Sequence, residues 1–297
     1  MTPDAGALEF DIESLAAVAR LRSRFRGALL GLAIGEALAA PAQFARPGGF
    51  APIRDLIGGG PFDLTPGSWT DDTAMALLLG RSLLECGGCD PADQLDRFRR
   101  WQLEGEESLS GECLGITASV SKALADGKPS NEVTDGADAL VRMSPLVLWH
   151  YADKNALMTD LESMVRVTCR ESSTLVASRE FALMAHSALR GKPLRTYSPK
   201  RKSAESARQR GASASALAIV KESMYGARSW KEAVLRAVNQ GGDADVHGAA
   251  TGQLAGAVFG VESIPAGWLA MLAGRTMIEE LADSLLVDVL VRLDVAD

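Results

Sequence analysis

Two short acidic clusters hold the residues best equipped for chemistry. Residues 68–75 read SWTDDTAM, with Thr70, Asp71 and Asp72 just before an apolar run of helical period. Residues 239–260 read NQGGDADVHGAATGQLAGAVFG, with Asp243 and Asp245 just before a run built largely from Gly and Ala. Two readings compete. Thr, Asp and Asn are favoured at helix N-caps, and acidic groups suit the first turn's dipole, each worth roughly 0.3–1 kcal/mol. Capping accounts for one oxygen-bearing side chain per helix more easily than for several, because adjacent like charges repel. The second reading is a hard divalent cation. Mg²⁺ and Mn²⁺ take oxygen ligands in near-octahedral array, and the two Asp pairs with the Thr70 hydroxyl offer such a set. Gly241 and Gly242 add bare backbone that chain or substrate can approach closely. Spacing alone leaves both readings open, since it does not show that the clusters meet. His247 reads as a packed or surface side chain rather than a ligand, Trp69 as core, and Arg142 as a partner in an internal salt bridge.

The elements that must position these residues are helical. Apolar residues recur at three- and four-residue steps over Ile12–Leu38, Thr73–Leu84, Leu114–Leu124, Leu175–Leu189, Ala214–Met224, Trp230–Val238, Ala249–Val258 and Met277–Leu293. Gly248, Gly252 and Gly256 recur every fourth residue and predict a bare ridge for tight packing. Gly- and Pro-rich stretches at 46–52, 56–68, 190–203 and 260–267 read as loops. The expectation is one compact all-α domain over residues 1–297.

Composition narrows the function. The chain is 47% hydrophobic, enough for a sizeable core, and its net charge of −7 argues against a nucleic-acid partner. The acidic start lacks the basic and apolar pattern of a signal peptide. The longest apolar stretch, Gly27 to Gln43, is short for a membrane span and contains Glu36. A soluble, cytoplasmic protein with no membrane partner is expected. Cys86 and Cys89 form a CGGC without a second pair or nearby histidines, so free thiols are the expectation.

The motifs, taken together, resemble the ADP-ribosylglycohydrolase family over most of the chain. RFRGALLGLAIGEALAAPAQF (24–44) is similar to that family's opening helix, commonly RGALLGLAIGDALGAPVEF. SWTDDTAMALLLGRSLLE (68–85) is similar to WTDDTxMALxLAESL, GADALVRMSPLVL (136–148) to GNGALMRxAPLAL, and the 239–260 segment to NxGGDTDTxGAIAGALAGAxxG. The resemblance implies an all-α fold, two Mg²⁺ or Mn²⁺ ions, and hydrolysis of the glycosidic bond between ADP-ribose and a protein side chain. It implies Thr70, Asp71, Asp72, Asp243 and Asp245 as metal ligands. It places Gln43, Gly136, Ala137, Asp138, Gly241 and Gly242 beside the substrate, ADP-ribose or an ADP-ribosylated protein.

This chain departs from the pattern at particular positions. Val246 stands where the resembled motif has a hydroxyl ligand, so one of the two ions is expected to be weak or absent. Gln43 replaces a glutamate, and its amide cannot act as a general base near neutral pH. Glu36 replaces an aspartate and is the substitute catalytic carboxylate. Ala137 and Asp138 replace Asn-Gly, and Cys169 replaces a histidine. The expectation is a metal-dependent hydrolase of low or altered activity, the alternative a non-hydrolysing protein that holds metal or ADP-ribose. On the first reading, Gln43→Glu raises the rate and leaves metal affinity unchanged.

Overall fold

The computed structural model describes residues 12–130, 137–192, 194 and 211–294. Helix α1 runs Ile12–Ala39 and ends in a 3-10 turn at Ala40–Ala42, where Pro41 closes it. It is followed by α2 (Asp71–Cys86), α3 (Pro91–Glu104), α4 (Ala118–Asp126), α5 (Ala137–Val141), α6 (Ser144–Trp149) and α7 (Lys154–Arg166). Then come α8 (Ser172–Leu189), α9 (Ala212–Met224), α10 (Trp230–Val238), α11 (Ala244–Phe259), α12 (Ala266–Met271) and α13 (Arg275–Asp294). Among the described residues the β pairing is confined to two isolated bridges, Gly59 with Leu64 and Ser130 with Cys169. The fold is all-α and forms one domain around a continuous core.

The centre of that core is the antiparallel pair α1 and α11, the most extensive helix contact among the described residues. Gly27, Gly31 and Gly35 face Gly256, Gly252 and Gly248 in register. A Cβ on Gly31 would lie 2.3 Å from the Gly252 carbonyl oxygen, and one on Gly252 would lie 2.0 Å from the Gly31 oxygen. Only glycine on both sides permits that approach. The expected ridge on α11 is therefore half of a two-sided seam, whose other half lies in the first apolar helix. Trp230 on α10 seals the seam by donating its indole N–H to the Gly252 carbonyl at 2.9 Å. Helix α1 is long and apolar enough to cross a membrane by length and composition, yet 89% of its most apolar window is buried inside the protein.

The helical runs read from sequence recur with boundaries shifted by a few residues, except at Leu114–Leu124. There the helix starts only at Ala118, capped by Thr117. Residues 113–117 form a loop because Gly115 takes φ +86° against Asp71. Helices α3, α5, α6, α7 and α12 were not apparent from the period; three of them span six residues or fewer. Of the 190–203 loop, only residues 190–192 and 194 are among those described.

Candidate metal centre

The glycine seam determines where the acidic residues go. Glu36 follows Gly35 on α1, and Asp245 precedes Gly248 by less than one turn of α11, so close backbone packing brings the two carboxylates to the same end of the pair. Glu36 then caps α2 from outside that helix. Its Oε1 accepts from the Thr70 N–H and hydroxyl, both at 2.7 Å, and its Oε2 from the Thr73 N–H at 3.0 Å and hydroxyl at 2.5 Å. Both oxygens are committed and the residue is 3% exposed. The position read as a substitute catalytic carboxylate thus orders the start of α2 and offers no free oxygen to a substrate proton.

That arrangement bears on the capping reading. Elsewhere the chain uses ordinary caps: Asp90, Asp153 and Ser229 each accept from first-turn N–H groups. Neither Thr70 nor Asp243 caps its own helix. With Glu36 taking the α2 donors, Asp71 and Asp72 are released from capping. The Thr70 hydroxyl has one proton to give and lies 2.7 Å from Glu36 Oε1 and 3.0 Å from Asp71 Oδ1. Whichever contact it serves, the other sets oxygen lone pairs face to face and calls for a proton or a cation.

The second cluster is fixed by a backbone exchange. The Phe44 N–H donates to the Gly242 carbonyl at 2.7 Å, and the Gly242 N–H to the Ala45 carbonyl at 2.8 Å. Gly241 and Gly242 sit at φ +68° and +65°, a region that favours glycine. A Cβ on Gly241 would meet the Ala45 oxygen at 2.6 Å. Gly241 is crowded by this chain pairing, whereas a Cβ on Gly242 would meet open space. The exchange seats the turn after α1 on the entry to α11, and the Gln43 amide donates from there to Asp245 Oδ2. An amide oxygen facing a carboxylate would repel it, so the N–H must face Asp245. Gln43 is thereby tied to an expected metal ligand, so its replacement is expected to act on Asp245 as well.

Asp71, Asp138, Asp243 and Asp245 line one cavity of about 530 Å³, with Gln43, Phe44, Phe62, Ala137, Val246 and the 113–118 loop. Asp72 is not among the lining residues, but ligand oxygens of Asp71, Asp72 and Asp138 all lie within 4.8 Å of one another. Gly136 lies outside the described residues. His247 is buried, and Val246 rather than His247 borders the cavity. The 113–118 loop escaped the sequence reading; its signal is Gly115, where a Cβ would fall 2.0 Å from Asp71 Oδ1. Trp69 is core, its indole N–H donating to the Ala273 carbonyl at 2.8 Å. Arg142 is fully buried and donates to the Met164 carbonyl and the Thr168 hydroxyl, with Phe98 against its guanidinium. Cys86, Cys89, Cys113 and Cys169 are free thiols.

Electrostatics sharpen the picture. No Lys or Arg lines the cavity among the described residues. Burial, then the neighbouring carboxylates, raises Asp71 and Asp72 well above the usual range. Burial pushes Asp245 up to about 7, with Glu36 and Asp243 adding and the Val246 N–H opposing. Asp72 Oδ2 and Asp245 Oδ1 are buried with no hydrogen-bond partner. Buried carboxylate oxygens without donors are costly, and hard divalent cations satisfy them. The donor set, all oxygen with thiol and imidazole outside it, fits Mg²⁺ or Mn²⁺. Cys113 borders the cavity, and burial, then Asp71, hold its thiol up at about 11.

The sequence profile of the ADP-ribosylglycohydrolase family matches residues 17–293. An ADP-ribosylarginine hydrolase of Serratia proteamaculans is 30% identical over 287 residues, covering 88% of this chain and 78% of the relative. An ADP-ribosyl-[dinitrogen reductase] glycohydrolase of Rhodospirillum rubrum is 30% identical over 268 residues, covering 85% and 91%. A solved structure, an ADP-ribosylglycohydrolase-related protein complex, superposes with a TM-score of 0.79 at 34% identity, over 91% of this chain and 99% of its own. With the family profile matched over residues 17–293 and the fold shared with that solved structure, the chain belongs to the ADP-ribosylglycohydrolase family.

Proposed function

We propose that this protein is a metal-dependent hydrolase that cleaves the bond between ADP-ribose and a protein side chain, with arginine the first linkage to test. The observation that carries the reading is the pair of buried, donor-free oxygens, Asp72 Oδ2 and Asp245 Oδ1, in a carboxylate cluster bordering a substrate-sized cavity. Thr70, Asp71, Asp72, Asp243 and Asp245 are the proposed ligands. Divalent cations held there would supply Lewis-acid polarisation and neutralise the clustered charge. The relatives named as ADP-ribosylarginine and dinitrogen-reductase glycohydrolases support the substrate class.

The chain's own residues divide the work. Glu36 holds the start of α2 in place, and so positions Asp71 and Asp72. Gln43 fixes the Asp245 carboxylate. Phe44, 65% exposed, and Phe62 offer apolar area at the cavity wall for a base or ribose. Hydrolysis at the anomeric carbon passes through an oxocarbenium-like state and needs a group to take a proton from the attacking water. The Gln43 amide cannot take it, which points to slow turnover. The same residue favours the second reading, a family member that binds without hydrolysing. Turnover of ADP-ribosyl-arginine by the parent and by Asp245→Asn separates them. Release of ADP-ribose by the parent and its loss in the variant supports hydrolysis; equal release by both contradicts the site assignment.

A further inference from the structure

Asp138 stands outside the ligand set just proposed, and we propose that it is an additional cation ligand, forming with Asp71 and Asp72 a three-carboxylate face for one hard divalent ion. The inference rests on the metal-dependent reading of the site and deepens it.

Geometry comes first. One oxygen from each of the three aspartates lies within 4.8 Å of the others, and all three residues are buried. An octahedral ion at about 2.1 Å from its ligands sets neighbouring oxygens about 3 Å apart and opposed ones about 4.2 Å apart. Small side-chain rotations close that difference. The second observation is independent: Asp72 Oδ2, in a residue 3% exposed, has no hydrogen-bond donor. A cluster assembled only for structure would supply one.

Charge makes the same case. Asp138 adds a carboxylate to a group that already contains Glu36, Asp71, Asp72 and Asp245, and it contributes to the repulsion felt at Asp71 and Asp72. Arg142, one turn further along the chain, offsets part of that charge from beneath, and its own hydrogen bonds go to Met164 and Thr168. One guanidinium does not balance five carboxylates, whereas divalent ions do. The Thr117 hydroxyl donates to Asp138 Oδ2 at 3.3 Å, which orients the carboxylate at the cavity wall. Val246, which also lines the cavity, offers no side-chain oxygen. The cavity thus lacks a hydroxyl at Val246 and carries a carboxylate at Asp138.

The test is Mn²⁺ binding to chelator-stripped full-length protein, by calorimetry and by thermal melting with and without Mn²⁺. The variants are Asp138→Asn, which keeps the shape and the Thr117 contact, and Asp138→Gly; Asp71→Asn is the control. The expected result is Mn²⁺ affinity at least tenfold weaker in both Asp138 variants and a smaller Mn²⁺-induced rise in Tm. The metal-free Tm of Asp138→Asn should equal or exceed the parent's, because one buried like charge is gone. A purely structural Asp138 would instead lower the metal-free Tm and leave affinity within twofold, and that result overturns the proposal. If Asp71→Asn abolishes binding while the Asp138 variants bind normally, the metal site stands and Asp138 is not part of it. If the parent binds no Mn²⁺, both ideas fall.

Discussion

Gln43 is the residue at which the proposed metal cradle and the proposed chemistry touch. Its amide holds Asp245 Oδ2, so its replacement acts on both. Gln43→Glu removes that donor and sets a carboxylate against a carboxylate whose pKa is already about 7. The expected outcome is a lower Tm without metal, tighter Mn²⁺ binding, and ADP-ribose release faster by roughly 10²–10⁴, the usual contribution of a general base. Stopped-time product assays with parallel Mn²⁺ titration check this; an unchanged rate with tighter metal binding would place the proton-accepting role elsewhere. At this scale the sequence was legible for residue type and silent on partners. Asp71, Asp72 and Asp245 stood out by residue type, and the resemblance implied them as ligands. Glu36 was read as a free carboxylate, because nothing in a linear sequence shows that its oxygens are claimed by Thr70 and Thr73, 34 and 37 positions away. Asp138 was seen as a departure beside the substrate, and its nearness to Asp71 and Asp72 emerged only in three dimensions.

At the scale of elements, the seam between α1 and α11 aligns the two acidic clusters. Gly252→Ala would set a methyl group 2.0 Å from the Gly31 carbonyl oxygen, with backbone on both sides and no flexible side chain to move. Overpacking of well-packed cores costs about 1–3 kcal/mol and occasionally more, and this site belongs at or above the upper end. Urea unfolding should show that loss, with Mn²⁺ affinity reduced because Glu36 and Asp245 flank the seam; a variant within 0.5 kcal/mol of the parent, the range of an ordinary surface change, would refute the account of the seam. The helices of this pair were readable because their periods are long and their glycines regularly spaced. The loop at 113–117 was not, since its apolar residues continue the helical period while Gly115 follows the demands of Asp71 packing. The short helices α5, α6 and α12 were missed because five or six residues carry too little period to register.

For the whole molecule, the clustered carboxylates should make stability depend on pH and, on the proposed reading, on metal together. Asp245 rises from 3.8 to about 7 on folding, and Asp71 and Asp72 also rise. A group whose folded pKa is raised binds more protons when folded, so metal-free stability from these groups falls as pH climbs between the unfolded and folded values. His150 and His186 act in the opposite sense, since burial lowers both. The informative quantity is therefore the difference between the parent and Asp245→Asn. Without metal, the parent should lose Tm relative to the variant between about pH 4 and pH 7, the unfolded and folded values of Asp245. With Mn²⁺ the order should reverse at the higher pH, because the ion binds the deprotonated carboxylates. A parent-to-variant difference that does not change with pH would show that Asp245 is ionised throughout and carries no such strain.

The central claim is that these two helix starts form a metal-dependent centre for ADP-ribosyl hydrolysis. Its most direct test is the time course of free ADP-ribose release from ADP-ribosyl-arginine by chelator-stripped protein, before and after Mn²⁺ is restored. The account predicts no release from the stripped protein and slow, steady release once Mn²⁺ is bound. Mn²⁺ demonstrably bound with release at background would contradict it, as would release that persists unchanged in the stripped protein.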